Sequence, residues 1–322
     1  MTFLHRNAPV DMKTILHHDG ALGDVLLSLP IMNSIRRDSA LLHFVGCADI
    51  GDLLRQFRLV DEATSSGSSR YASLHAGEID AGTAAFLRTF ERAFLFTVNG
   101  HSALASSLRA VIPRTTIIIT IPSGPGDRHI SDFRMRQVGL PAQKADGRAL
   151  IVPKRFEALA CAQLRRFGHD GFAPVLTVHP GSGGATKIWP LERFFSLIER
   201  LKKLFAPFVL LLTGPAESDS MKVRVDEFSR RQVGMAHVSD ADLTTVAALL
   251  ARSGLFIGND SGAGHLAASV GCPVLSLFGP TDPERWAPRG PRVEVIKARA
   301  LAEIDVDQVY SLAAALLPAG RN

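Results

Sequence analysis

The chain has 322 residues, of which 46% are hydrophobic and 21% charged, the balance of an ordinary globular protein. Its three widely spaced cysteines exclude a disulfide framework and a cysteine-based zinc knuckle, and its longest apolar runs are too short to span a bilayer. The net charge of +5 is too diffuse to indicate nucleic acid as a partner, although it is compatible with peripheral contact with an anionic membrane surface. No apolar segment follows a basic N-terminal start, so we expect no signal peptide and a cytoplasmic protein.

Short apolar runs alternate with amphipathic stretches through the first half of the chain. The pattern predicts strands at 13–17, 41–45, 59–63, 93–98 and 115–121, and helices at 24–35, 49–57, 84–90, 102–110 and 130–138. Pro30 interrupts the first helix. Residues 64–70 are rich in serine and glycine and are expected to form an exposed loop. Such alternation predicts a parallel sheet covered on both faces.

The same alternation restarts after a linker that contains proline. It predicts strands at 175–179, 208–213, 255–257, 274–278 and 293–296, and helices at 156–167, 191–204, 218–230, 243–251, 266–270 and 306–317. Two consecutive α/β domains follow, at 1–155 and 170–304. Ligands of such sheets bind at the carboxyl ends of the strands, and we expect a cleft between the two domains.

A glycine-rich turn in segment 258–280, GNDSGAGHLAASVGCPVLSLFGP, joins a predicted strand to a predicted helix. The small residues at 262–264 leave the N–H groups at the start of that helix open to an anion such as phosphate. Asp260 and His265 flank the turn, where they can contact a ligand that lies across it. An ordinary turn whose aspartate caps the helix explains the same residues equally well.

Two further loops follow strands of the second half. The loop at 179–190, HPGSGGATKIWP, combines three glycines, the hydroxyls of Ser182 and Thr186, and the cation of Lys187, a set suited to phosphate. The Gly-x-x-x-x-Gly-Lys-Ser/Thr pattern of a Walker A phosphate loop is absent. A flexible loop with a surface lysine therefore stays an alternative. After the next strand, Glu217 can accept hydrogen bonds from ribose hydroxyls or simply complement the dipole of the following helix.

Asp24 is the candidate base of the first half. It follows GALG at 20–23 and starts a helix at the carboxyl end of a strand, where a carboxylate can accept a proton from a sugar hydroxyl. Helix capping explains an aspartate there as well. His17, His18 and His265 lack the spacing of metal ligands, so we expect no metal site. The sequence also lacks the Gly-x-Ser-x-Gly motif of serine hydrolases and the Gly-x-Gly-x-x-Gly motif of dinucleotide dehydrogenases.

Four segments together resemble glycosyltransferase family 9, the family of the bacterial heptosyltransferases. They are GALGDVLLSLP (20–30), HPGSGGATKIWPLERF (179–194), GPAE (214–217) and NDSGAGHLAASVGCPVLSLFGPTDPERWAP (259–288). The resemblance implies a GT-B fold, in which two Rossmann-like domains with doubly wound parallel sheets face a central cleft. It also implies that a C-terminal helix at about 305–322 returns to the N-terminal, acceptor-side domain.

The resemblance implies an inverting transferase that needs no metal or cofactor. Such an enzyme moves a heptose from an ADP-heptose donor to a saccharide or glycolipid acceptor such as the lipopolysaccharide core. Asp24 matches the catalytic aspartate of the family, and Lys187 matches the lysine that contacts the donor phosphate and sugar. Glu217 matches a ribose contact and Asp260 a contact to the heptose hydroxyls. The other donor-binding positions implied are Ser182, Gly183, Ser261, Gly262, Ala263, Gly264 and His265.

The acceptor side departs from the family pattern. Members that act on the lipopolysaccharide core carry a basic cluster in the loop after the third strand, whereas this chain has Arg70 alone there. Arg128, Arg134 and Arg136 are the further candidates for holding an anionic acceptor.

Two other functions stay open at this point. A GT-B-like sugar-nucleotide epimerase needs additional carboxylates and a histidine around the sugar, and product analysis with UDP-sugars would reveal it. A non-catalytic sugar-nucleotide-binding protein on the same scaffold is expected to lack the base, whereas this chain has both Asp24 and Lys187.

Overall fold

The computed structural model describes residues 12–122, 129–142 and 149–317. The chain divides into two compact units, Met1–Lys144 and Ala145–Asn322, called unit 1 and unit 2 below. Among the described residues, no helix has both the length and the apolar character that a membrane span needs.

Unit 1 is built on a five-stranded parallel sheet with the strand order β3-β2-β1-β4-β5. Its strands are β1 (Lys13–His18), β2 (Leu41–Gly46), β3 (Glu62–Ser65), β4 (Arg92–Thr97) and β5 (Thr115–Ile119). Its helices are α1 (Leu22–Leu26), α2 (Leu29–Arg37), α3 (Ala48–Gln56), α4 (Ser69–Ala76), α5 (Ala81–Leu87), α6 (Ala103–Val111) and α7 (Ile130–Gln137). β1, β2 and β4 are buried almost throughout, as strands covered on both faces are.

Two features of unit 1 differ from the sequence-based expectation. The helix predicted at 24–35 is two helices, because Pro30 lies in the first turn of α2, the place where a helix tolerates proline. The predicted loop at 64–70 contains the end of β3 and the start of α4.

Unit 2 contains a six-stranded parallel sheet with the order β11-β10-β9-β6-β7-β8. Its strands are β6 (Val175–His179), β7 (Phe208–Thr213), β8 (Met235–Ser239), β9 (Leu255–Asn259), β10 (Val274–Phe278) and β11 (Val293–Lys297). Its helices are α8 (Lys154–Arg166), α9 (Leu191–Phe205), α10 (Asp219–Arg230), α11 (Leu243–Leu250), α12 (Gly262–Ser269), α13 (Pro283–Trp286) and α14 (Val306–Leu316). The strand β8 was not predicted, because His237 and Ser239 interrupt its apolar run.

The ends of unit 2 also depart from the predicted domain bounds of 1–155 and 170–304. Helix α8 packs against α11, so unit 2 begins before residue 170. We expected the C-terminal helix to return to the N-terminal domain. In unit 2, α14 packs against α9 and buries Val309, Ala313 and Leu316 in the hydrophobic core. The return of this helix to the N-terminal domain stays a prediction.

Candidate functional site

Asp24 lies in α1, directly after the loop that leaves the carboxyl end of β1. Its Oδ1 accepts a hydrogen bond from Arg134 Nη2 at 2.9 Å, and its main-chain oxygen accepts one from Arg134 Nη1 at 2.6 Å. The Asp24 side chain is 33% exposed, whereas that of Arg134 is 0% exposed. The carboxylate is therefore fixed from the protein side and open on the other, as a base for a bound hydroxyl must be.

The placement of Arg134 corrects its predicted role as an acceptor contact. Besides Asp24, its Nε donates to the main-chain oxygen of Thr120 at 3.1 Å, and its Nη1 donates to Ser28 Oγ at 2.9 Å. Burial lowers the pKa of this guanidinium, although the hydrogen bond and charge of Asp24 act in the opposite direction. A buried cation that is engaged in this way positions Asp24 and does not meet an acceptor.

The other predicted acceptor residues gain no support from the structure. Arg136 lies exposed on α7, and Arg70 belongs to α4. The side chain of Arg70 and the whole of Arg128 lie outside the described residues.

His18 supports the same turn from the buried side. Its Nδ1 accepts a hydrogen bond from the Gly20 N–H at 3.1 Å, so its Nε2 carries the proton and donates to Ser28 Oγ at 3.1 Å. Ser28 in turn donates to the main-chain oxygen of Asp24 at 3.2 Å. Burial, followed by the positive charge of Arg134, lowers the pKa of His18 well below its usual value. This neutral ring therefore acts as a fixed support for the loop before Asp24.

Asp24 lines a cavity of about 330 Å³ in unit 1. The other walls come mainly from the carboxyl ends of β1 and β4 and from the residues that follow β5. They include His17, His18, Asp19 and His75. Because ligands of parallel α/β sheets bind at this edge, the cavity is the place in unit 1 where a substrate would meet Asp24.

In unit 2, Lys187 and Asp260 form the central polar pair. Lys187 Nζ donates to Asp260 Oδ2 at 2.9 Å, and Thr281 Oγ1 donates to the same oxygen at 2.7 Å. Ser182 Oγ donates to the main-chain oxygen of Asp260 at 2.9 Å. The Asp260 side chain is 9% exposed and that of Lys187 34% exposed. The loop after β6 and the turn after β9 thus meet, as their positions on adjacent strands require.

The loop at 179–190 is anchored at both ends, which disfavours a merely flexible loop. Asn259 Nδ2 donates to the main-chain oxygen of Pro180 at 2.8 Å, and Asn259 Oδ1 accepts a hydrogen bond from the Trp189 N–H at 3.0 Å. The buried Trp189 ring donates through Nε1 to the main-chain oxygen of Ile304 at 2.9 Å. Gly183 lies exposed between these anchors, where a ligand can approach its backbone.

The turn after β9 leads directly into α12. Ser261 is the N-cap residue, and its side chain makes no capping hydrogen bond. The first positions of α12 are Gly262 and Ala263, which are half-buried, whereas Gly264 and His265 are buried. The first N–H groups of a helix have no partner within the helix. They and the macrodipole make this helix start suitable for an anion, and Lys187 is hydrogen-bonded to the residue just before the N-cap.

Glu217 completes the carboxyl edge of the unit 2 sheet. Its Oε2 accepts a hydrogen bond from the Gly214 N–H at 2.6 Å and lies 3.6 Å from His179 Nε2. Burial raises the pKa of Glu217, but the contact with His179 and the Gly214 N–H lower it by more, so the net pKa lies below its usual value. An added Cβ at Gly181 would lie 1.9 Å from Glu217 Oε1, so any larger residue there would displace the Glu217 side chain. Glu217 is therefore an ionised carboxylate fixed against the loop after β6.

Sequence reasoning missed two contributors to these sites. Thr281 stands within the matched segment 259–288, but a threonine after a strand has no feature that indicates contact with Asp260. The positioning role of Arg134 depends on a pairing between α7 and α1, and the local pattern around either helix does not show it.

The model of glycosyltransferase family 9 (heptosyltransferase) matches residues 136–313. Lipopolysaccharide heptosyltransferase 3 of Escherichia coli (strain K12) is 34% identical over 116 residues, which are 35% of this chain and 33% of that protein. The chain spans about a third of the length of the curated relatives that it matches.

Solved structures match over nearly the whole chain. The structure of E. coli ADP-heptose lps heptosyltransferase II has a TM-score of 0.75 and 19% identity, and the match covers 95% of this chain and 98% of that one. E. coli heptosyltransferase WaaC with ADP has a TM-score of 0.66 and 17% identity, with coverage of 94% and 99%. At sequence identities this low, the structural similarity is evidence for a shared fold only. It confirms the predicted GT-B class with two parallel-sheet α/β domains.

Proposed function

The chain belongs to glycosyltransferase family 9, and we propose that it moves a heptose from an ADP-sugar donor to a saccharide acceptor such as the lipopolysaccharide core. In this proposal the transfer inverts the configuration at the anomeric carbon of the heptose. The family and the heptosyltransferases among its relatives support the class of reaction. The structure of WaaC with ADP supports the choice of nucleotide by analogy of fold.

The observation that carries the proposal is the group formed by Lys187, Asp260 and Thr281 at the start of α12. A diphosphate at this position receives the positive charge of Lys187 and the first N–H groups of the helix. Asp260 lies one residue before the N-cap, and Thr281 lies just after β10. Both side chains are then placed to bind hydroxyls of the transferred sugar. Glu217, fixed at the end of β7, is the proposed partner of the ribose hydroxyls.

The proposed reaction is a direct displacement at the anomeric carbon. Asp24 accepts the proton of the acceptor hydroxyl while that oxygen forms the new bond to the anomeric carbon. The bond from this carbon to the donor phosphate oxygen breaks, and ADP leaves with the electron pair. Lys187 and the helix N–H groups stabilise the negative charge that develops on the departing diphosphate. These groups supply the required charge, so the proposed transfer step uses no metal ion or cofactor.

A glycolipid acceptor would bring the chain to the cytoplasmic surface of the inner membrane. The net charge of +5 favours such peripheral contact with anionic lipid.

The donor is tested first, by thermal unfolding with ADP, UDP and GDP. A ligand present at about 100 times its dissociation constant stabilises the folded chain by about 2.7 kcal/mol. We expect ADP to raise the unfolding temperature more than UDP or GDP does at the same concentration. An equal or larger shift with UDP would contradict the choice of donor.

Transfer is tested with ADP-heptose and lipopolysaccharide core saccharides that lack heptose. We expect a glycosylated product whose anomeric configuration, read by NMR, is inverted relative to the donor. Asp24→Ala should reduce the rate by about 10²- to 10⁴-fold while the ADP-induced thermal shift stays unchanged. A retained configuration or an unchanged rate in this variant would contradict the mechanism. A separate incubation with UDP-sugars tests the epimerase alternative, which an epimerised product would favour.

A further inference from the structure

Three side chains with metal-binding atoms converge on the wall of the cavity that Asp24 lines. His17 is in β1, Asp19 follows that strand, and His75 is in the last turn of α4. His17 Nε2 lies 3.3 Å from Asp19 Oδ2, and His75 Nε2 lies 3.9 Å from the same oxygen. One donor atom from each residue falls within 4.8 Å of the other two. Residues 17 and 19 point to the same side because side chains alternate along an extended chain.

The spacing of two of these donor atoms already fits a tetrahedral ion. Bonds of about 2.0–2.1 Å from zinc to nitrogen or oxygen place neighbouring ligand atoms about 3.3–3.4 Å apart in a tetrahedron. The separation of 3.3 Å between His17 and Asp19 has this value already. The His75 side chain is 48% exposed, so it is free to rotate the short distance that remains.

His17 supplies a second and independent indication. It is 4% exposed, and neither of its ring nitrogens makes a hydrogen bond to a residue that the structure describes; the ion-pair contact of Nε2 is with Asp19, a member of the same cluster. Buried polar atoms of this kind are rare in folded proteins because they lose their hydration without compensation. A buried imidazole nitrogen without a hydrogen bond has a lone pair that a metal ion can use.

We propose that His17, Asp19 and His75 bind one divalent metal ion of the zinc class. Two imidazoles and a carboxylate favour zinc and the neighbouring transition metals over magnesium and calcium, which prefer oxygen ligands. Three protein ligands leave a fourth tetrahedral position for water or for an oxygen of a molecule in the cavity. The sequence-based expectation of no metal site is thereby revised at His17, because His75 comes from a separate helix and sequence spacing does not reveal the set.

No step of the proposed transfer is assigned to this ion, so the site is tested by binding alone. The untagged full chain is stripped with chelator and titrated with Zn²⁺ by calorimetry, and Co²⁺ absorption provides a second readout of tetrahedral coordination. We expect one ion per chain. His75→Ala and Asp19→Asn should each weaken binding by at least about 10-fold, since losing a residue that only orients a ligand already has that effect.

His101→Ala is the matched control, because His101 is an exposed histidine of unit 1 outside the cluster. It should bind Zn²⁺ like the unmodified chain, and circular dichroism should show that all variants are folded. The proposal is overturned if the unmodified chain shows no one-to-one binding or if His75→Ala binds with unchanged affinity. It is also overturned if His101→Ala loses as much affinity as His75→Ala, since that result means diffuse binding to surface histidines.

Discussion

The guanidinium of Arg134 and the carboxylate of Asp24 form an ion pair at 2.9 Å in which one partner is fully buried and the other a third exposed. The two residues belong to different helices, α7 and α1, and Arg134 also holds the main-chain oxygen of Thr120 after β5. This one side chain therefore joins the end of β5 to the turn that presents the candidate base. Because a buried charge that loses its partner is strongly unfavourable, the pair also fixes the direction in which Asp24 points.

Replacing Arg134 should destabilise unit 1 and disturb Asp24. Arg134→Met removes four hydrogen bonds to Asp24, Ser28 and Thr120, and we expect a loss of about 1–3 kcal/mol in the free energy of unfolding, measured with urea. In a double-mutant cycle with Asp24→Asn, the coupling energy should be about 0.5–3 kcal/mol.

Arg136→Met provides the control for that cycle, because Arg136 lies exposed on the same helix. Its effect on unfolding should stay within about 0.5 kcal/mol, as for most surface substitutions. A coupling energy of zero between positions 134 and 24 would show that the ion pair does not position the base.

Substitution by alanine should change the free energy of unfolding at one glycine of the loop after β6 and not at another. An added Cβ at position 181 would overlap the Glu217 carboxylate, whereas one at position 183 has no atom within 4 Å. Gly181→Ala should destabilise the chain by about 1–3 kcal/mol, the usual range for overpacking, and should weaken ADP binding because the Glu217 carboxylate is displaced from its position. Gly183→Ala should leave the free energy of unfolding unchanged. Equal unfolding midpoints for the two variants would contradict this account of the loop.

The placement of the candidate donor-side residues follows from local pattern and sheet topology together. Ser182, Lys187 and Asp260 each follow an apolar strand, and the carboxyl ends of parallel strands lie at one edge of the sheet. Their contacts in unit 2 follow from that rule and from the adjacency of β6 and β9. The pattern does not give the hydrogen-bonding partner of each side chain, which is why Thr281 was missed.

Charge alone does not reveal burial, and this limits prediction in unit 1. Arg134 and Arg136 are two residues apart on α7 and look alike in sequence, yet one is fully buried against Asp24 and the other exposed. The apolar stripe of α14 was likewise recognised, but a stripe does not specify which sheet it covers. The structure supplies this information because long-range packing decides which residues a helix meets.

The stability of unit 2 should depend on pH through Glu217. Its pKa is below its usual value in the folded chain, so the ionised carboxylate stabilises the fold above the unfolded pKa of about 4.5. That contribution is lost as the pH falls through the lower, folded pKa. Glu217→Gln should therefore be less stable than the unmodified chain at pH 7, and the difference should shrink towards pH 3. Urea unfolding at several pH values measures it.

Glu199→Gln is the control for this pH dependence, since Glu199 is exposed on α9. Its unfolding free energy should follow that of the unmodified chain at every pH. A pH profile of Glu217→Gln that runs parallel to the unmodified chain would mean that the Glu217 carboxylate has the same pKa folded and unfolded.

Removing the cation of Lys187 should weaken donor binding more than it affects the fold. The Lys187 side chain is a third exposed and its bond to Asp260 is shared with Thr281, so Lys187→Ala leaves Asp260 with one remaining donor. A hydrogen bond to a charged group contributes about 1.5–3 kcal/mol, which corresponds to a loss of about 10- to 100-fold in ADP affinity by calorimetry. Lys203→Ala, an exposed lysine on α9, should bind ADP like the unmodified chain. If Lys187→Ala retains full affinity for ADP but loses transfer, its ammonium acts on the sugar or the transition state and the phosphate contact is supplied by the start of α12 alone.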